Sequence, residues 1–207
     1  MGRDAGAKCR KCRREGEKLF LKGDRCYSRS CAVARKSKPP GEGPRRRRPR
    51  RSQYQLHLRE KQKARRIYGL RERQFSNYVA QAKQQKGVTG KALLTLLERR
   101  MDNMVYRAGF ASSRQQARQM ITHGHFELNG RATNIPSVLL REGEVVSVKE
   151  GRRERIKTIV EAAVDRDAPA WLERNADAMR FQVIAMPNVE QMEQAIAANL
   201  IVEFYSR

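Results

Sequence analysis

The sequence has no apolar run near the roughly 20 residues a bilayer-spanning helix needs, so no membrane partner is expected. Aromatic residues make up only 6% of the chain, with a single Trp, which leaves few platforms for stacking single-stranded bases. Nothing in the sequence points to a small-molecule substrate. Negative charge is also scarce: 22 Asp and Glu stand against 45 Lys and Arg, a formal charge of +23. That excess is far beyond what solubility requires and points to a polyanionic partner. It is uneven as well. Residues 1–51 carry 19 basic against 5 acidic side chains, whereas residues 141–207 carry 10 against 12. The polyanion is therefore expected to meet the N-terminal and central parts.

Cysteine is confined to one short stretch: Cys9 and Cys12, then Cys26 and Cys31. No signal-like segment precedes these residues, so a cytoplasmic setting is expected, and there disulfides are disfavoured. Two close pairs separated by a short loop can bring four thiolates to one tetrahedral metal. The cations Lys8, Arg10, Lys11, Arg13 and Arg25 are expected to lower the thiol pKa values. A bound metal would also stabilise a segment too polar to fold on its own core. The expected cofactor is Zn2+, and the alternative is a 4Fe–4S cluster on the same four ligands. Four protein ligands leave no open position, so a catalytic metal is not expected.

Beyond the cysteines, Lys36–Arg51 is rich in Pro and Gly and holds Arg45, Arg46, Arg47, Arg48, Arg50 and Arg51. Proline excludes a continuous helix, so an extended cationic arm is expected, ordering against phosphates as counterions leave. A nuclear-localisation signal has the same composition. Residues 52–98 read as a helical platform. In its first helix Leu56, Ala64, Ile67 and Tyr68 make an apolar stripe, and Arg59, Lys61, Lys63, Arg65 and Arg66 spread over the remaining surface as candidate phosphate contacts. Phe75, Tyr78, Val79 and Ala82 mark a second helix, and Leu93, Leu94, Leu96 and Leu97 a third.

The stretch from 97 to 149 carries the most specific pattern. Met101, Met104, Val105 and Ala108 share one helical face, which Gly109 ends. Ser113, with Gln116 three residues on, is a capping-box opening for a second helix, which has Ala117, Met120 and Ile121 on its apolar face. Arg114 and Arg118 lie four apart on another face and are expected to point into solvent. Phe126 and Leu128 alternate as in a strand, Asn129-Gly130 is a two-residue hairpin turn, and residues 144–148 form a later strand. Ser112, Ser113, Gln116, His123 and Asn129 add neutral hydrogen-bonding groups beside the two arginines. Such a mixture suits recognition of folded RNA through its backbone and 2′-hydroxyls.

Residues Arg100-Met-Asp-Asn103, Arg107-Ala-Gly-Phe110, Ser113-Arg114, Gln116-Ala-Arg118, Asn129-Gly130 and Gly143-Glu144 give this stretch its resemblance to a small RNA-binding module. That module is shared by ribosomal, tRNA-synthetase and pseudouridine-synthase families. With Met-Gly-Arg at the start, the four cysteines, residues 59–63, Tyr68-Gly69 and the final eight residues, nearly the whole chain resembles the family of bacterial small-subunit ribosomal protein four. The resemblance implies a non-enzymatic constituent of the small ribosomal subunit. It implies direct contact with small-subunit (16S) rRNA at a multi-helix junction, with Arg107 among the contacts. It also implies early assembly, contact with ribosomal protein five in translational accuracy, and binding to its own mRNA. It argues against the nuclear-localisation reading.

The expected fold class is α+β: a metal-bound N-terminal knuckle and a helical domain, with an inserted small α/β RNA-binding module. The expected divisions are 1–51 for knuckle and arm, 52–98 for the platform and 99–150 for the module. Residues 151–207 are expected to return to the helical domain, through a helix from 153 to 164, a buried Trp171, a strand from 179 to 184 and a final strand from 200 to 204. An RNA-modifying enzyme with the same module would need a catalytic domain for which no length remains. A DNA regulator would need a base-reading helix that is not evident.

Overall fold

A computed structural model describes residues 6–36, 38–41, 52–162, 168–188 and 196–206. The arm residues Arg45, Arg46, Arg47, Arg48, Arg50 and Arg51 lie outside the described residues. In chain order the helices are α1 Lys8–Glu15, α2 Ala32–Arg35, α3 Gln53–Ile67, α4 Glu72–Lys83, α5 Thr89–Glu98, α6 Met101–Arg107, α7 Arg114–Thr122, α8 Arg153–Glu161 and α9 Ala198–Phe204. The strands are β1 Phe126–Leu128, β2 Arg131–Thr133, β3 Val145–Val148, β4 Leu172–Asn175 and β5 Arg180–Val183. The chain divides into two compact units, Met1–Leu93 with Gln194–Arg207, and Leu94–Glu193.

The first unit is helical. Ser52 caps α3 by accepting a hydrogen bond from the Gln55 N–H at 3.3 Å. Ala64, Ile67 and Tyr68 are buried as their spacing implies, while Leu56 remains exposed. The last turn of chain is helix α9, not the expected strand. Within the run Leu200–Val202 only Ile201 is fully buried, a one-sided pattern that a helix satisfies. Helix α9 packs on α3: Phe204 meets Tyr54, and the Lys61 ammonium sits 4.4 Å from the Phe204 ring centre. The Tyr205 hydroxyl donates to Glu72 at 2.7 Å.

The second unit is an antiparallel five-stranded sheet in the order β2-β1-β3-β5-β4. Asn129 (φ 49°) and Gly130 (φ 75°) both adopt the left-handed conformation that a tight β1–β2 turn requires. The Asn129 Oδ1 also accepts from the Val145 N–H at 2.9 Å, so its side chain serves the turn. The core joins Met101, Met104 and Val105 of α6, Ala117 and Ile121 of α7, Phe126, Val146 and Phe181 of the sheet, and Trp171. The expected module boundary at 150 therefore does not coincide with the unit. Strand β5 pairs with β3 through Val146 and Phe181, and β4 pairs with β5, so these two strands complete the module's sheet. The segment Gln194–Arg207, which carries α9, returns to the helical unit.

Candidate nucleic-acid interface

At the start of α7, Ser113 Oγ accepts from the Gln116 N–H at 3.3 Å. Gln116 reaches past the cap, and its Oε1 accepts from both the Ser112 N–H and hydroxyl at 2.7 Å. Ser112, Ser113 and Gln116 are thus bonded to one another, and their first duty is to hold the helix end.

Arg114 and Arg118 do not project freely into solvent, as the sequence suggests. Arg114 Nε donates to Asn103 Oδ1 at 2.7 Å, and its guanidinium lies 4.5 Å from the centre of the Tyr106 ring. Arg118 Nη1 donates to Asp102 Oδ2 at 3.1 Å, with its side chain only 12% exposed. Both partners stand on α6 and are buried. Asp102 also accepts a fork from the buried Arg100, at 3.0 and 2.6 Å. Asn103 donates to Glu98 Oε2 at 2.7 Å, and Glu98 accepts the Arg107 fork at 3.0 and 3.1 Å. Arg107, which the resemblance places among the RNA contacts, is therefore a buried partner of Glu98. Four guanidinium groups and two carboxylates meet in this network. Arg114 and Arg118 stand on its partly exposed side, while Arg100 and Arg107 are enclosed. A guanidinium held by its inner edge loses little freedom when its outer face meets an anion.

The α3 cations are also turned inward. Arg66 and Arg59 bind Glu15, Arg59 at 3.4 Å. Lys63 binds Glu17 at 3.0 Å and Glu60 at 3.5 Å. Lys61 and Arg65 bind Glu72 at 2.7 and 3.7 Å. These five residues tie α3 to the knuckle and to the start of α4, instead of spreading over a solvent face. Burial alone would raise the Glu72 carboxyl, but hydrogen bonds from Lys61 and Tyr205 outweigh it and hold Glu72 below its ordinary range. Burial and the Glu72 carboxylate push the Tyr205 phenol well up.

In the knuckle, Cys9, Cys12, Cys26 and Cys31 line one pocket and none is in a disulfide. The Lys22 N–H points at Cys26 Sγ at 3.3 Å, and a Leu19 backbone hydrogen bond reaches Cys12. Contrary to the expected effect of the flanking cations, burial dominates and pushes the Cys12 and Cys26 thiols up, and the neighbouring cysteines add to it. Among the described residues, no three His, Cys, Asp or Glu side chains stand together as a formed ligand sphere. The knuckle thus has four thiols lining one pocket and two backbone donors to sulfur, without a preset cage.

His123 and His125 stack with ring centres 6.3 Å apart beside the turn that ends α7. Partial burial, then the charges on Arg152, His123 and Arg155, hold His125 below the usual histidine range. Nothing in the sequence set Lys149 or Arg152 apart, because each becomes notable only when the turn at Gly124, strand β2 and the end of β3 come together around one groove.

Comparison with known proteins fits this arrangement. Residues 3–98 match the Ribosomal protein S4/S9 N-terminal domain, and residues 99–146 match the S4 domain. Small ribosomal subunit protein uS4 of Syntrophomonas wolfei is 52% identical over 209 residues, covering 100% of both chains. The uS4A protein of Symbiobacterium thermophilum is 53% identical and uS4 of Clostridioides difficile 50%, each again over the full length of both chains. A buried α6 network that presents two guanidinium groups, a cationic chain and full-length identity at this level together show that the chain belongs to the small ribosomal subunit protein uS4 family.

Proposed function

We propose that this protein is a structural constituent of the small ribosomal subunit that binds small-subunit (16S) rRNA directly at a multi-helix junction. Its binding nucleates subunit assembly, and with ribosomal protein five it contributes to translational accuracy, in the cytoplasm. Its family is structural, and the chain is not an enzyme. Among the described residues no helix is long and apolar enough to cross a membrane. The carrying observation is the pair of partly exposed guanidinium groups, Arg114 and Arg118, fixed on buried α6 partners in a chain of net charge +23. Fixed cations recognise the shape of a folded RNA backbone, whereas mobile ones add attraction without selection. Gradient sedimentation of cell extract tests the reading: the protein should travel with small-subunit particles and bind their naked rRNA in filter assays. Migration only as free protein, with no preference for that rRNA, would sink it. Binding to its own mRNA belongs to the same reading, and the same filter assay with that transcript tests it.

The four knuckle thiols are assigned to Zn2+, held by Cys9, Cys12, Cys26 and Cys31. Their place around one pocket and the backbone donors aimed at sulfur support this. The metal would clamp residues 9–31 and supply structure only. Protein purified without oxygen should contain one zinc per chain and thiols shielded from reagent. Iron and sulfide in its place would assign the 4Fe–4S cluster, and four freely titrating thiols without metal would remove the site.

A further inference from the structure

We propose that the groove between the turn after α7, strand β2 and the start of the segment leading into α8 is a second RNA-backbone site, separate from the α6–α7 network. In this site Lys149 and Arg152 hold a phosphate, and His123, Thr133 and Asn134 face the ribose. The inference rests on the rRNA-binding reading and deepens it by naming a site and its ligand chemistry. The groove encloses about 590 Å³ and is open to solvent. That lies within the roughly 300–1,000 Å³ of ordinary ligand sites.

Its cations differ in kind from those the sequence brings forward. Arg100, Arg107 and Arg118 of the same unit each bind a carboxylate. Lys149 and Arg152 are exposed, and neither side chain has a carboxylate partner among the described residues. An arginine already neutralised by a buried acid gains less from a phosphate than one whose charge is uncompensated. Burial first, and then Arg152, His123 and Arg155, hold His125 below its usual range, so the groove's cations reach this ring. The neutral groups complete the site: Thr133 offers a hydroxyl, Asn134 an amide, and His123 a flat ring stacked on His125. Hydroxyl and amide groups beside two cations match a ribose-phosphate, whose 2′-hydroxyl both donates and accepts.

The test uses the full chain and a transcribed small-subunit rRNA fragment containing the junction, with affinity measured across a salt series. Lys149→Gln with Arg152→Gln removes the groove charges. Arg153→Gln with Lys157→Gln removes two charges from exposed positions of α8 that do not line the groove. The groove variant should lose about tenfold in affinity, and its log–log salt slope should flatten by about 1. The α8 variant should stay within about twofold of the parent. Melting temperatures should be unchanged in both, because all four side chains are exposed. Equal losses in the two variants would reduce the groove to bulk positive charge and overturn the proposal. A parent protein with no salt-dependent affinity for the fragment would instead remove the rRNA reading itself.

Discussion

Glu98 is fully buried, and its carboxylate holds Arg107 through a two-pronged pair and Asn103 through its amide. Truncating it strands a buried guanidinium, which costs about 3–5 kcal/mol. Urea unfolding of Glu98→Ala should show a loss of that order, whereas a loss below about 1 kcal/mol would mean that Arg107 finds another anion. His125 behaves differently because its ring is only partly buried. Its folded pKa lies below the unfolded value of 6.5, through partial burial first and then through Arg152, His123 and Arg155. Between those two values the unfolded chain binds more protons, so stability rises with pH there. The contribution is complete above pH 6.5 and is lost as pH falls through the folded pKa. An NMR titration of the ring should show the depression, and Arg152→Gln should relieve part of it. A ring titrating at the same pH in both proteins would show that the groove charges do not reach it. Such partnerships are what the sequence hides at this scale. It displays the cations of α3, but Glu15 stands 44 residues from Arg59 and 51 from Arg66. Charge counting assigns these residues to phosphate because it cannot see an acid brought in by folding.

Local pattern was enough for most elements and failed where one residue carried the signal. Helices α6 and α7 were legible because several apolar residues repeat at helical spacing and Ser113 opens α7 with its own cap. Strand β4 was missed: in Leu172–Asn175 only Leu172 is buried, as expected for an edge strand, so no alternation exists to read. The apolar run at 200–202 suits strand or helix, and tertiary packing on α3 decides for the helix. Gly90 exposes that packing to a test. A Cβ at this position would stand 2.9 Å from the Ala198 Cβ, at the start of α9. Gly90→Ala gains up to about 1 kcal/mol of helix propensity. It also forces two backbones apart, an overpacking cost of about 1–3 kcal/mol. The expected net result is a lower melting temperature and faster proteolysis of the C-terminal segment. A variant more stable than the parent would show that α9 does not seat against Gly90.

For the molecule as a whole, the charge of +23 divides into cations that fold the protein and cations that face outward. Composition made a polyanionic partner legible, yet it could not separate these classes, because the difference lies in partners and not in residue type. The arm and the α7 arginines provide the sharpest contrast. Arg114 and Arg118 are fixed on Asn103 and Asp102, so replacing them with Ala would remove protein contacts along with the proposed RNA contacts. Such a double variant should therefore melt lower than the parent, and Lys is the better replacement. Arg114→Lys with Arg118→Lys keeps both charges but loses the planar forks and the stacking on Tyr106. Counterion release depends on charge, so the salt slope should stay as it is. The preference for folded junction RNA over an unstructured RNA of equal length should fall, because geometry is what changed. Replacing Arg45, Arg46, Arg47 and Arg48 with Gln should do the reverse. At about 0.7–0.9 per phosphate the slope flattens by about 3, with both RNAs weakened by similar factors. Measuring both affinities for both variants at several salt concentrations separates the two roles. If the Lys variant weakens both RNAs equally, the α6–α7 network only attracts, and selection of the junction must arise at the groove around Lys149 and Arg152.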